Sequence, residues 1–334
     1  MIRHLAHPPR PPSDEPGRAA WVEMAREFAA APPLTVHAAQ PEVLAAVWAV
    51  LRETVLVPGA VSREIKEAIA ATVSTVNACP YCVDVHGMFR RAAHHVAAAP
   101  AAELAAAVAW ARACRSPEDA RLAAPPFSKE QAPEMVGTAA AFTYINRIVS
   151  VLLDESPFPR GVRFLRGPLG RLAGRLLART VGRPLVPGAA VARLPAAAVP
   201  PALAWARPRP AIAAAFAQLG VATDRAVAPV LSAPARQRVI AVLADWHGDE
   251  PPFGRAWLDE AVAGLAAEDL AVARLAVLTA LAPARVTAAD VAAFAADRPG
   301  DAALVALLAW SAYQTTHRAA GWLCGPYREF REMP

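Results

Sequence analysis

The chain has 334 residues, enough for two domains, and a hydrophobic fraction of 55% built largely from alanine and leucine, which favours helix over strand. No charge-free run reaches the about eighteen apolar residues of a membrane span, and four cysteines in this length are too few for a disulfide scaffold. The net charge of +5 is no general nucleic-acid signal, because ten arginines and no acid lie between Ser156 and Thr223, leaving 24 bases against 29 acids elsewhere.

The start, MIRHLAHPPRPPSDEPGR, lacks the apolar core of an export signal. Its prolines predict a loose leader over 1–40, and the default location is cytoplasmic. A helical domain is expected over 41–155. PEVLAAVWAVLRET (41–54) places Pro41 near a helix start, with apolar residues at helical spacing. Pro58-Gly59 breaks the chain, Ser62 is an N-cap candidate, and REIKEAIAATVSTV (63–76) follows as an amphipathic helix whose β-branched end also suits a strand. NACPYCVDVHGMF (77–89) comes next, then AAELAAAVAWARAC and a longer helix at about 130–153.

Residues 156–225 read as a basic, Arg/Pro-rich connector. Within it Arg171, Arg175 and Arg179 are spaced four apart beside Leu172 and Leu176, a basic amphipathic helix. Its plain reading is a solvated arginine face packed across a domain; the sharper one is a surface for anionic lipid or an acidic partner. Helices return over 226–328, before a tail at 329–334. They echo the first half: AAAFTYINRIVSVLL aligns with SAYQTTHRAAGWL, so that Phe142 meets Tyr313, Arg147 meets Arg318 and Leu152 meets Leu323. On a second offset Cys79, Cys82 and His86 face Pro283, Val286 and Asp290, while Glu67 faces Ala271. The expectation is two related helical halves, the second without reactive residues.

The motif holds the chemistry. Cys79 sits near an N-cap, Pro80 at the first helical position, Cys82 in the first turn and His86 one turn above it on the same face. A helix N-terminus favours thiolate. The imidazole can take a proton, and a carboxylate can hold it in place; Glu67 is the candidate if the two helices pack antiparallel, with Glu64 one turn away as a substitute. A structural zinc site needs four ligands, and Cys79, Cys82 and His86 supply three, with Cys114 and Cys324 standing alone. A structural disulfide across three residues closes too short a loop to stabilise much. Glutaredoxin shares Cys-Pro-Tyr-Cys but needs a strand ahead of it, where this chain has alanine-rich helix. Elsewhere His94 and His95 read as exposed, Asp84 as solvent-facing, and Tyr144, Asn146 and Arg147 as structural rather than pocket-lining. Trp48, Trp110, Trp310 and Trp322 read as core.

Glu67, then Cys79-x-x-Cys82-x-x-x-His86, on helices and followed by YINR, resembles the alkylhydroperoxidase AhpD-like / carboxymuconolactone decarboxylase family over roughly residues 40–155. The resemblance implies an all-α helical bundle, usually a homo-oligomer, and a thiol-dependent peroxidase. By that resemblance Cys82 attacks the peroxide, Cys79 resolves the sulfenic acid to a disulfide, and His86 with Glu67 forms a proton relay. It implies no tightly bound cofactor and no metal, and a dithiol reductant from outside such as protein-bound lipoamide. Some members carry a histidine between the cysteines where this chain has Tyr81. The decarboxylase branch lacks the dithiol, so its lyase activity is not carried over. Two other functions remain open: a redox-responsive binding protein without fast turnover, and an acid–base enzyme using Glu67 and His86 on a small organic substrate.

Overall fold

In the computed structural model residues 1–158, 177–178 and 180–328 are described. The fold is all-α: among the described residues there is no strand, only one antiparallel bridge between Ile2 and Leu153. Helices α1 (Gly17–Glu27), α2 (Pro32–Thr35) and α3 (Pro41–Leu51) lead into a π-helical turn at Arg52–Leu56. Then come α4 (Arg63–Val76), α5 (Pro80–Val96), α6 (Ala101–Ala111), α7 (Ala120–Ala123) and α8 (Ala132–Leu152). The second half holds α9 (Pro210–Val227), α10 (Ala233–Ala244), α11 (Ala256–Ala261), α12 (Ala267–Leu281), α13 (Ala288–Asp297) and α14 (Asp301–Leu323).

Local chemistry sets the α4–α5 hairpin. Ser62 Oγ accepts the Ile65 N–H at 3.3 Å and caps α4. The β-branched residues at its end stay helical, so the strand alternative is not taken. Pro80 occupies the first position of α5, where its missing N–H costs nothing. Between the helices Ala78 takes the left-handed backbone region, at φ 51°, and the Cys79 N–H donates to Ser74 O at 2.9 Å. This short reversal lays α5 back along α4.

Helix α8 is the axis of the fold. Every residue but Ser150 is buried, with α4 and α14 packed against it. It is long and apolar enough to cross a membrane, yet here it lies inside the bundle. Its Glu134 fastens the turn before α4: the carboxylate accepts from Ala60 N at 2.7 Å and Val61 N at 3.3 Å, and Lys66 Nζ lies 2.5 Å away. Gly59 permits this approach, since a Cβ there would sit 2.1 Å from Glu134 Oε1. Further along, Arg147 Nε donates to Ala280 O at 2.8 Å and Nη1 to Thr143 O at 2.7 Å, satisfying a terminal carbonyl of α12. Burial pulls the Arg147 guanidinium down to about 9. Trp48, Trp110 and Trp310 are wholly buried, and Trp322 nearly so.

Two segments differ from expectation. The leader over 1–40 is not loose: Met24 and Leu34 join the core, Glu23 Oε2 accepts from Trp48 Nε1 at 3.1 Å, and Glu27 Oε2 accepts from Arg52 Nε at 2.7 Å. The prolines there obscured a helix whose Ala20, Glu23, Met24 and Glu27 share one buried face. The connector over 156–225 also ends early. Pro210 is the first residue of α9, a core helix packed on α3 and α14, so a proline counted within the connector is a helix starter. Arg193 and Arg209 of that segment pair with Glu23 and Glu134, each at 2.7 Å. The helix expected around Arg171, Arg175 and Arg179 lies outside the described residues, as does the tail at 329–334.

Candidate active site

The α4–α5 hairpin brings Glu67 and His86 into contact. His86 Nδ1 lies 2.6 Å from Glu67 Oε2, and Arg63, one turn before Glu67, donates to the other oxygen from Nε at 2.8 Å. Glu67 is fully buried. Burial works to raise its carboxyl, but the Arg63 charge and the hydrogen bonds from His86 and Arg63 hold it below its ordinary value. A carboxylate can only accept, so the proton between the two belongs to Nδ1, and Nε2 is left as the acceptor.

Both sulfurs are buried and reduced. Cys82 lines a partly open pocket together with Tyr81, His86, Glu67 and Arg63. The rest of its wall is apolar, contributed by the stretch from Phe28 to Leu34, by Leu51, Val55 and Leu56 of α3 and the π turn, and by Val85, Phe89, Phe142 and Ile145 of α5 and α8. His86 meets Phe142 edge-on at 4.3 Å between ring centres. Cys79 does not line this pocket.

A small polar network holds the sulfurs from the α8 side. Asn77 Nδ2 donates to Asn146 Oδ1 at 3.0 Å, and Asn146 Nδ2 donates to Ser74 Oγ at 2.9 Å. These bonds orient the Asn146 amide so that its nitrogen faces the dithiol. The hydrogen bond with Cys82 lowers the Cys79 thiol; the Cys82 backbone N–H, Ser150 and Asn146 add to this against the opposing effect of burial. Burial, joined by the charge of Cys79, pushes the Cys82 thiol well up. Of the two thiols Cys79, at the N-cap, is therefore the more readily ionised, while Cys82 sits one turn further along α5. Burial pushes the Tyr81 phenol up to about 12, so it is a neutral wall beside the cysteines.

The hairpin thus brings Glu67, Cys79, Cys82 and His86 together. Glu64 is turned away: its carboxylate accepts from Ala99 N at 2.8 Å and lies 3.1 Å from His94 Nδ1. Asp84 is half-buried, accepting from Ser156 Oγ at 3.4 Å, rather than solvent-facing. Arg147 and Tyr144 stay outside the pocket wall, whereas Asn146 reaches the sulfurs. Sequence reasoning missed Arg63, whose i,i+4 spacing to Glu67 looks like any surface ion pair, and missed Ser74, Ser150 and the N-terminal wall. Among the described residues no group of three His, Cys, Asp or Glu side chains is placed to hold a metal ion.

The profile of the carboxymuconolactone decarboxylase family matches residues 41–124, a span that contains Glu67, Cys79, Cys82 and His86. A protein of Mycobacterium tuberculosis named alkyl hydroperoxide reductase is 42% identical over 316 residues, covering 91% of this chain and 89% of the relative. Identity at that level across both halves shows common descent for the whole chain, and the chain therefore belongs to the carboxymuconolactone decarboxylase family, among its alkylhydroperoxidase-like members.

Proposed function

We propose that the protein is an oxidoreductase, a thiol-dependent peroxidase in which Cys82 attacks the peroxide and Cys79 resolves. The observation that carries this reading is the convergence of Cys82 and His86 on one pocket, with Glu67 hydrogen-bonded behind the imidazole. Burial keeps the Cys82 thiol protonated at rest, so it needs a base at the moment of attack. His86 Nε2 is that base, and Glu67 stabilises the imidazolium that forms, as in other nucleophile–base–orienter sets.

The Cys82 thiolate attacks one peroxide oxygen and the O–O bond breaks, leaving Cys82 sulfenic acid and an alcohol that takes the proton from His86. The Cys79 thiolate then attacks the Cys82 sulfur, and the sulfenic oxygen leaves as water after taking up a proton. The two electrons given to peroxide leave a Cys79–Cys82 disulfide. A dithiol reductant from outside, of the lipoamide type, restores both thiols by exchange. Action as a homo-oligomer in the cytoplasm belongs to the same proposal.

The test is trapping of thiols by mass spectrometry after peroxide treatment of the reduced protein. The expected result is loss of two thiols per chain, a trapped sulfenic acid at Cys82 in Cys79→Ser, and no reaction in Cys82→Ser. A Cys82→Ser protein that consumes peroxide like wild type overturns the proposal. Activity on an organic substrate surviving both replacements would point to acid–base chemistry by Glu67 and His86 instead.

A further inference from the structure

One wall of the pocket comes from residues that precede the family match at 41–124: Phe28 at the end of α1 and the turn through Leu34. Phe28 packs on Phe89 with ring centres 5.0 Å apart and the planes tilted by 30°, and Leu34 is buried. This stretch is short of regular structure, so something must hold it. His37 does so. Its Nδ1 lies 2.9 Å from Leu34 O, and its Nε2 lies 3.1 Å from the Tyr144 hydroxyl of α8. Leu34 O can only accept, so Nδ1 carries the proton and Nε2 accepts from Tyr144. The two rings also stack, 5.7 Å apart at 22°. His37 and Tyr144 are both buried and neither lines the pocket.

Arg63, Glu67, Tyr81, Cys82 and His86 are the polar side chains of the pocket wall, and the remainder is apolar; Phe89, against which Phe28 packs, has its ring centre 6.0 Å from that of His86. Hydrogen peroxide would engage the polar side chains alone. A hydroperoxide with an apolar body would seat its O–O group there and its body against Phe28 and Leu34. Each methylene removed from water gains about 0.8 kcal/mol, close to fourfold in binding.

We propose that residues 28–37, latched to α8 by the Leu34–His37–Tyr144 chain of hydrogen bonds, form the specificity wall that makes the site select organic hydroperoxides with an apolar body over hydrogen peroxide. Phe28 and Leu34 contact that body; His37 and Tyr144 are positioning residues. The inference rests on the peroxidase reading above.

The experiment follows oxidation of the reduced full-length protein in a single turnover, which needs no knowledge of the reductant. Second-order rate constants are compared for hydrogen peroxide, tert-butyl hydroperoxide and cumene hydroperoxide. The expected wild-type ratio of cumene hydroperoxide to hydrogen peroxide is at least about tenfold. Phe28→Ala is expected to lower that ratio at least about fivefold, Phe28→Leu to restore most of it, and Tyr144→Phe to lower it by loosening the wall. A wild-type ratio near one overturns the inference without any variant. A ratio unchanged in both Phe28→Ala and Tyr144→Phe overturns it as well. If none of the three peroxides oxidises Cys82, the peroxidase reading fails instead.

Discussion

At the residue scale the relay is asymmetric. Glu67 spends one oxygen on Arg63 and the other on His86, so it is held twice before it does anything. Glu67→Gln keeps the shape but removes the charge that stabilises imidazolium. Oxidation of Cys82 by peroxide is expected to slow on the order of 10²-fold, measured by stopped-flow thiol loss. Asn146 acts on the other partner. Replacing it with leucine removes a donor from the sulfurs, so the thiolate absorbance at 240 nm in a pH titration is expected to appear at higher pH than in wild type. Helical periodicity set Cys82 and His86 on one face of α5, and the approach of Glu67 was legible only on the condition that α4 and α5 pack antiparallel, as they do. Arg63 and Asn146 were not legible, since an Arg–Glu pair and a buried asparagine have the same spacing whether or not a reactive group is near.

At the element scale, two contacts secure the segments that frame the pocket. Gly59 leaves room for Glu134 against the turn before α4. Gly59→Ala forces that carboxylate away and is expected to cost about 1–3 kcal/mol in urea denaturation. His37 gives the N-terminal wall a pH dependence. Burial lowers its pKa from 6.5 to about 4, partly offset by the bond to Leu34 O. Its folded-state pKa lies below the unfolded one, so its contribution to stability is full above about 6.5 and is lost as pH falls toward 4. The loss amounts to about 3 kcal/mol. Denaturation midpoints taken across that window are expected to change less in His37→Gln, whose amide carries no titrating proton. The leader and connector were misread for one reason. Their prolines were read as marks of irregular chain, while Pro16 directly precedes α1 and Pro210 opens α9, just as Pro41 and Pro80 open α3 and α5 where a helix start was expected.

At the scale of the whole molecule, the described core is one apolar cluster running from Ala20 to Cys324, with a small satellite around Phe89, Ala92, Ala93 and Val181. Helices α8 and α14, which the sequence alignment sets against each other as equivalent, pack directly on one another. The helix–break–helix order of α4–α5 recurs in α12–α13, with Pro80 and Pro283 at the breaks, and we propose descent from a repeat on that basis. A core shared this way predicts one cooperative unfolding transition for the full chain, seen as coincident fluorescence and circular-dichroism curves. A fragment ending at 155 leaves the face of α8 that meets α14 in water and is expected to show no such transition. Composition told of helices; that they share a single core was not legible, because alanine-rich faces carry little information about their partners.

The remaining cysteines sit in a different chemical world from the motif. Cys114 and Cys324 are buried, and burial pushes the Cys114 thiol up to about 12. A limiting dose of iodoacetamide at neutral pH would tag the dithiol, reached through the pocket that Cys82 lines, and leave Cys114 untouched while the chain stays folded. Peptide mapping of such a sample then reads the oxidation state of the dithiol directly, with Cys114 as an internal standard for intactness. The raised Cys114 thiol also spares the protein from stray over-oxidation at that position, so damage accumulating on storage should be sought first at the motif.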